Sequence, residues 1–280
     1  MIGVYDSGFG GLTVLRRLRE RLPGRDFLYL GDSGRAPYGG RDAHTILDFA
    51  EQCVERLFDE GSRLVVVACN TVSCVALRHL QRRYAGPGSP RRILGVTIPA
   101  AEAAVAASEG HVGVIATSRT VSSGTFEAEI HKLAPALRVS QRAAPLLAPL
   151  VEEGWEDTEI GRLAVARYVA GLHGVDTLVL GCTHYPLLLP AFEAAFPGRI
   201  LDPAPFVAER LRDWLARHPD FDDPGTGALS FLCSGDPASF REHGARFLGA
   251  PIGEVGHIAE EAGRLQRRAQ IQIVTGQILR

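Results

Sequence analysis

Two cysteines stand at matching points in this chain. Residues 65–71 read Val-Val-Val-Ala-Cys-Asn-Thr, and residues 178–184 read Leu-Val-Leu-Gly-Cys-Thr-His. Each is an apolar run of strand type that ends in a small residue, a cysteine and short polar residues. Cys69 and Cys182 lie 113 positions apart (182 − 69). A thiolate accepts a proton and a thiol returns one. Two such groups on opposite faces of a substrate could move a proton across it. At the C-terminal edge of a parallel sheet, where ligands bind, each sulfur would sit between a strand end and a helix start. That position predicts a lowered thiol pKa, about 3.5–7.5 in activated cases.

His184 follows Cys182 by two positions, and Asp6 ends a strand expected to neighbour that of Cys69. Each is a candidate proton acceptor or electrostatic tuner for one thiol. Asn70, Thr71 and Thr183 add amide and hydroxyl groups that hold a carboxylate or an ammonium without titrating. Asp6-Ser7-Gly8-Phe9-Gly10-Gly11 opens the first helix, where free N–H groups favour an anion. The loop is neither Gly-x-Gly-x-x-Gly nor a Walker loop and contains no lysine, so a small carboxylate suits it better than a nucleotide. Asp32-Ser33-Gly34-Arg35-Ala36-Pro37-Tyr38-Gly39-Gly40 is a second turn-rich loop after a strand. Cys53, Cys74 and Cys233 lack a matching partner and read as packing residues, with Cys74 near the site if its helix starts at about 72. The Cys69-x4-Cys74 spacing has no second Cys/His pair to complete a tetrahedral metal site. The remaining histidines, at 44, 79, 111, 131, 173, 218, 243 and 257, read as surface.

The elements that must position these groups follow from hydrophobic patterning. Strands are expected at 1–5, 26–30, 64–68, 92–96, 111–116, 137–140, 176–181, 199–201 and 228–233. Helices are expected at 11–22, 41–60, 72–84, 99–108, 122–133, 158–172, 186–195, 206–217 and 237–247. This alternation predicts βαβ units and parallel sheets with right-handed connections. Ile2-Gly3-Val4-Tyr5-Asp6-Ser7 is echoed by Val112-Gly113-Val114-Ile115-Ala116-Thr117 at an offset of 110 (113 − 3), close to the cysteine offset. The shared offset points to a duplicated scaffold. The expected architecture is therefore two similar parallel-sheet α/β domains related by pseudo-two-fold symmetry, with the active site in the cleft between them. The first domain would comprise 1–97 plus 207–280, and the second 98–206. The tail, 259–280, holds a helix candidate and the apolar run Ile271-Gln272-Ile273-Val274, with no role assigned.

Composition removes several function classes. A net charge of −2 gives no basis for nucleic acid or an anionic membrane as partner. No apolar run approaches the ~20 residues of a membrane span. Asp6 interrupts the first apolar run and no basic segment precedes it, so no signal peptide is expected. Five cysteines without a disulfide-framework spacing fit a reducing, cytoplasmic compartment.

Asp6-Ser7-Gly8-x-Gly10-Gly11-Leu12-Thr13-Val14, Pro37-Tyr38-Gly39, Ala68-Cys69-Asn70-Thr71 and Gly181-Cys182-Thr183-His184-Tyr185-Pro186 together resemble glutamate racemases. The motifs occur in that family's order over about residues 2–190. Tyr5, Gly34 and Val72 depart from the residues usual in the family. The resemblance implies cofactor-independent interconversion of L- and D-glutamate, supplying D-glutamate for peptidoglycan, in a cytoplasmic homodimer. It implies catalysis by Cys69 and Cys182, and substrate contacts from Asp6, Ser7, Tyr38, Gly39, Asn70, Thr71, Thr183 and His184. Asp6 would partner Cys69 and His184 would partner Cys182, with Glu152 able to orient His184. Three rival readings remain open: a racemase for aspartate or another amino acid, a hydrolase using a Cys182–His184 pair, and a non-catalytic glutamate-binding module.

Overall fold

The computed structural model describes residues 1–268. Its strands, in chain order, are β1 (Ile2–Asp6), β2 (Phe27–Gly31), β3 (Leu64–Val67), β4 (Arg92–Gly95), β5 (His111–Ala116), β6 (Arg138–Ala143), β7 (Thr177–Gly181), β8 (Arg199–Leu201), β9 (Leu229–Cys233), β10 (Val255–Glu261) and β11 (Arg264–Arg267). The helices are α1 (Leu12–Arg21), α2 (Ala43–Asp59), α3 (Asn70–Val75), α4 (Leu77–Tyr84), α5 (Thr97–Ala107), α6 (Ser118–Ser122), α7 (Thr125–Leu133), α8 (Leu147–Glu152), α9 (Glu159–Val169), α10 (Leu189–Ala195), α11 (Ala204–Arg217) and α12 (Pro237–Leu248).

Two sheets result. One runs β11-β10-β9-β2-β1-β3-β4 and the other β6-β5-β7-β8. The segment β2-β1-β3-β4 and the whole second sheet share one order, with β1 matching β5 and β3 matching β7. All pairings are parallel except β10 with β11. In each sheet the chain leaves its first strand to one side and later returns to the other. Such a switch point opens a crevice at the strands' C-terminal ends. Asp6 and Cys69 lie at that edge of β1 and β3, and Thr117 and Cys182 at that edge of β5 and β7.

The apolar runs of β1, β2, β3, β5 and β7 are buried along their whole length, as strands covered on both faces must be. Helix α2 shows how the covering layer is built. Asp42 caps it by accepting from the Thr45 N–H at 3.0 Å. Ile46, Ala50, Cys53, Val54, Leu57 and Phe58 then form its buried stripe. Helix α11 packs against both α1 and α5, joining the layers of the two sheets.

Several elements depart from the pattern-based expectation. The helix expected over 72–84 breaks at Ala76 into α3 and α4, and that over 122–133 breaks at Gly124, where φ is +64°. The helix expected over 186–195 begins as a single 3-10 turn, Tyr185–Leu188. Strand β6 runs to Ala143, beyond the expected 140, because it is a partly exposed edge strand whose polar residues hide its period. Residues 255–267 form the hairpin β10–β11 rather than a helix. Its turn places Ala262 and Gly263 at φ +52° and +79°, the geometry of a two-residue hairpin turn. The Ile271–Val274 run lies outside the described residues. His111, expected at the surface, is buried at the start of β5, where its ring nitrogens meet the Gly174 carbonyl and the Ser140 hydroxyl.

Candidate active site

The C-terminal edges of the two sheets face one small cavity, partly open to solvent. Ser7, Tyr38, Gly39, Cys69, Asn70, Thr71, Cys182, Thr183 and His184 all line it. The only expected site residue set back from its wall is Asp6, which is fully buried.

Asp6 ends β1 with its carboxylate turned into the protein. Oδ1 accepts from the Gly8 N–H at 2.9 Å, and Oδ2 accepts from the Thr183 hydroxyl at 3.5 Å. Burial raises its pKa, while the His184 charge and the N–H groups of Gly11 and Gly8 act in the opposite direction. The N–H groups of the glycine-rich loop thus serve an anion, as expected, but that anion is the chain's own Asp6. The glycines also have a packing role. A Cβ on Gly10 would lie 2.2 Å from the Thr183 hydroxyl oxygen and 2.6 Å from His184 Nδ1. The loop therefore fits against the Cys182 turn only as glycine.

Cys69 immediately precedes α3. Its sulfur lies 3.4 Å from the Ser7 hydroxyl, so Ser7 rather than Asp6 is its hydrogen-bond partner. The expected lowering of its pKa is not what the site produces. Burial first, and the nearby Asp6 charge second, push the Cys69 thiol up to about 12. Helix α3 has only six residues, and its dipole is too small to outweigh those two effects. Cys69 is held as a thiol near neutral pH.

Cys182 ends the run of β7 and is followed by the 3-10 turn. Its sulfur lies 3.7 Å from His184 Nδ1, and His184 Nε2 lies 2.9 Å from Glu152 Oε1. Burial disfavours the imidazolium. The hydrogen bonds to Cys182 and Glu152, and their charges, outweigh it and raise His184 to about 10. Glu152, from the end of α8, is raised by burial but held below its usual range by the hydrogen bond to His184. The result is a carboxylate–imidazolium–sulfur line on one side of the cavity.

Between the sulfurs the walls offer uncharged polar atoms. Asn70 is 4% exposed, and among the described residues its Oδ1 has no hydrogen-bond partner. A buried unpaired carbonyl costs about 1–3 kcal/mol, which a bound donor would offset. Thr71 Oγ1 lies 3.0 Å from Thr117 Oγ1 and 3.2 Å from Thr120 Oγ1, a hydroxyl cluster shared by the two halves. Thr117 lines the cavity and was not among the expected site residues. The repeat held its signal, because Ser7 plus the offset of 110 is Thr117. Tyr38 donates its hydroxyl to the buried Asp32 carboxylate, which also receives Arg35 Nε at 2.7 Å. This network fixes the 32–41 loop. The Gly39 carbonyl then accepts from the Arg119 N–H at 2.9 Å, tying the loop to α6. Of the cysteines read as packing residues, Cys53 is buried beside the Arg35 guanidinium and Cys74 faces Thr97.

The fold and the sequence both have known counterparts. The crystal structure of glutamate racemase from Francisella tularensis in complex with D-glutamate superposes with a TM-score of 0.86 at 29% identity, covering 92% of this chain and 97% of that one. The glutamate racemase of Geobacter metallireducens is 39% identical over 270 residues, or 93% of this chain and 97% of its own. That of Neisseria gonorrhoeae is 40% identical over 259 residues, covering 91% and 94%. By class, then, this is an isomerase, an amino-acid racemase. The sequence model of Asp/Glu/Hydantoin racemase matches residues 7–211, and the chain belongs to that family.

Proposed function

We propose that the protein interconverts L- and D-glutamate without a cofactor, using Cys69 and Cys182 as a thiol/thiolate pair. The observation that carries this reading is the placement of the two sulfurs at equivalent strand ends, both on the wall of one small cavity. The names of the relatives support glutamate as the substrate.

In one direction a sulfur acting as thiolate takes the α-proton. An S–H bond forms as the C–H bond breaks, and the electron pair stays on the α-carbon, delocalised into the α-carboxylate. The opposite sulfur, as thiol, gives its proton to the other face and becomes the thiolate. The roles are exchanged for the other enantiomer, so atoms and charge balance after each turnover. The His184 imidazolium, backed by Glu152, is the counter-charge for a Cys182 thiolate. Cys69, held as thiol, is the partner proton donor, with the Ser7 hydroxyl 3.4 Å from its sulfur. Asn70 Oδ1 suits a substrate ammonium. The hydroxyls of Thr71 and Thr117, with Thr183, suit carboxylate oxygens. Asp6 acts from behind the wall, by fixing the loop of Ser7 and Gly8 and the hydroxyl of Thr183.

The same reading includes D-glutamate supply for peptidoglycan, a cytoplasmic location and a homodimer. Among the described residues no helix is long and apolar enough to cross a membrane. Sheet membership supports a division into one domain of 1–97 plus 207–280 and a second of 98–206.

The test is incubation of L-glutamate with the protein in deuterated water, followed by chirality and mass. D-glutamate carrying one α-deuterium is the expected product. Absence of both inversion and exchange would overturn the reading. Activity on aspartate with none on glutamate would redirect it to another substrate.

A further inference from the structure

Helix α12 is anchored in the first sheet, between β9 and β10, yet one of its faces lies against the Cys182 side of the cavity. Asp236 caps it by accepting from the Ser239 N–H at 2.8 Å, and Gly249 ends it at φ +72°. Arg246 and Phe247 lie in its last turn. Phe247 is 5.2 Å from the His184 ring, edge to face. Arg246 reaches further, to the C-terminal end of α8. Its Nη2 donates to the Val151 carbonyl at 2.6 Å and to the Glu152 carbonyl at 3.2 Å. Its Nη1 lies 3.3 Å from the Glu156 carboxylate.

These contacts meet a definite need. The last carbonyls of a helix have no partners within it, and a cation there is favourable. Gly154, at φ +76°, ends α8 and leaves room for the guanidinium, since a Cβ there would lie 2.6 Å from Arg246 Nη1. The residue whose carbonyl Arg246 holds is Glu152, the one that fixes His184. Helix α8 has only six residues; the Gly154 N–H donates to the Val151 carbonyl at 3.1 Å and the Trp155 N–H to the Leu150 carbonyl at 2.9 Å, and Arg246 adds a second donor to Val151 and extends the hold to the Glu152 carbonyl. The ion pair to Glu156, whose side chain is only 14% exposed, holds the guanidinium in place, and the bonds to the two carbonyls are the contacts that reach the end of α8.

We propose that Arg246 is a positioning residue for the Cys182 half of the site. It clamps the end of α8 from the other sheet's layer, and thereby sets the Glu152 carboxylate against His184 and His184 against the Cys182 sulfur. The assignment rests on the two-thiol reading above. It also makes the acid–base line on this side dependent on a helix that lies far along the chain from both cysteines.

The experiment compares Arg246→Ala, Arg246→Lys, Glu152→Gln and the Arg246→Ala/Glu152→Gln double variant, with Cys182→Ser as control. For each, kcat and KM are measured in both directions, alongside thermal unfolding. Misplacing a reacting group by about 1 Å costs up to about 100-fold. Arg246→Ala is therefore expected to lower kcat about 10- to 100-fold, with KM changed less than about 3-fold. Lysine, with one donor centre in place of a fork, should restore part of the loss. The double variant should be no more than about 2-fold slower than Glu152→Gln alone, because both changes disable one unit. If Arg246→Ala does not fold, Arg246→Lys in the wild-type and Glu152→Gln backgrounds gives the same comparison. Arg246 variants within about 2-fold of wild type, a loss that multiplies with Glu152→Gln, or a full-activity Glu152→Gln would each overturn the proposal. Cys182→Ser separates the two levels: full racemisation there removes the two-thiol reading itself, whereas an inert Cys182→Ser beside an active Arg246→Ala removes only the clamp.

Discussion

The two halves of the cavity share a backbone and differ in charge. Cys69 and Cys182 follow matching strands in sheets of matching order. Around Cys69 lie a serine hydroxyl and a buried carboxylate, and the thiol is pushed up to about 12. Around Cys182 lie an imidazole raised to about 10 and the glutamate behind it. Duplication of a scaffold repeats where the strand ends point. It does not repeat what surrounds them, because His184 and Thr71 occupy equivalent positions, and Glu152 comes from a helix with no named counterpart in the first half. The pair is therefore built with one side at rest as a thiol and the other side equipped to carry negative charge.

The largest expected effect is loss of either sulfur. Cys69→Ser and Cys182→Ser should each lower kcat for racemisation by about 10²–10⁴-fold, since both proton transfers are needed for inversion. A variant of one sulfur that kept near-normal racemisation would end the comparison of two working halves.

Removing the carboxylate behind His184 should next blur the difference between the halves. Glu152→Gln removes one of the groups that raise His184. The alkaline limit of kcat/KM should then move to lower pH, with a greater loss at about pH 9 than at about pH 7. Stability should follow with a definite sign. Because the His184 pKa is raised from 6.5 to about 10, its contribution is fully present below 6.5 and is lost as pH rises through about 10. The difference in Tm between wild type and Glu152→Gln should shrink over that interval on the alkaline side. An unchanged alkaline limit would show that the imidazolium does not serve the Cys182 half.

Asn70→Ala tests the neutral wall. It removes the unpaired Oδ1, and the loss of one substrate hydrogen bond should lower kcat/KM by about 1.5–3 kcal/mol if that bond is to a charged group. A gain in Tm without a loss of activity would instead mark the atom as a purely structural cost. The seam between the halves gives the smallest set of effects. Gly10→Ala should lower stability by about 1–3 kcal/mol, because its Cβ meets Thr183 and His184. Gly40→Ala, whose Cβ would meet nothing within 4 Å among the described residues beyond its chain neighbours, should leave Tm nearly unchanged. Equal tolerance at the two positions would remove the close seam as a constraint.

Some of this was legible because buried parallel strands write themselves as apolar runs. The strands β1, β3, β5 and β7 and the common offset near 110 follow from that simple code. The hairpin β10–β11 was not legible. Its residues alternate weakly, lie at an exposed edge, and include an alanine at positive φ in the turn. Helix breaks at Ala76 and Gly124 were hidden for a related reason: tertiary packing, rather than local propensity, sets where α3 and α6 turn. Thr117 was within reach of the repeat, as the partner of Ser7. Glu152 was legible only as a carboxylate able to orient His184.

The chain by itself determined the strand-end thiols, their duplicated setting and the short polar residues beside them, since these depend on local order along the sequence. The thiol state of Cys69, the inward turn of Asp6, the His184–Glu152 pairing and the reach of Arg246 to α8 were decided only by the tertiary structure. Burial and Coulomb interaction depend on distance in space, and residues 6, 69, 152, 184 and 246 come within reach of one another only when two sheets close on a single cavity.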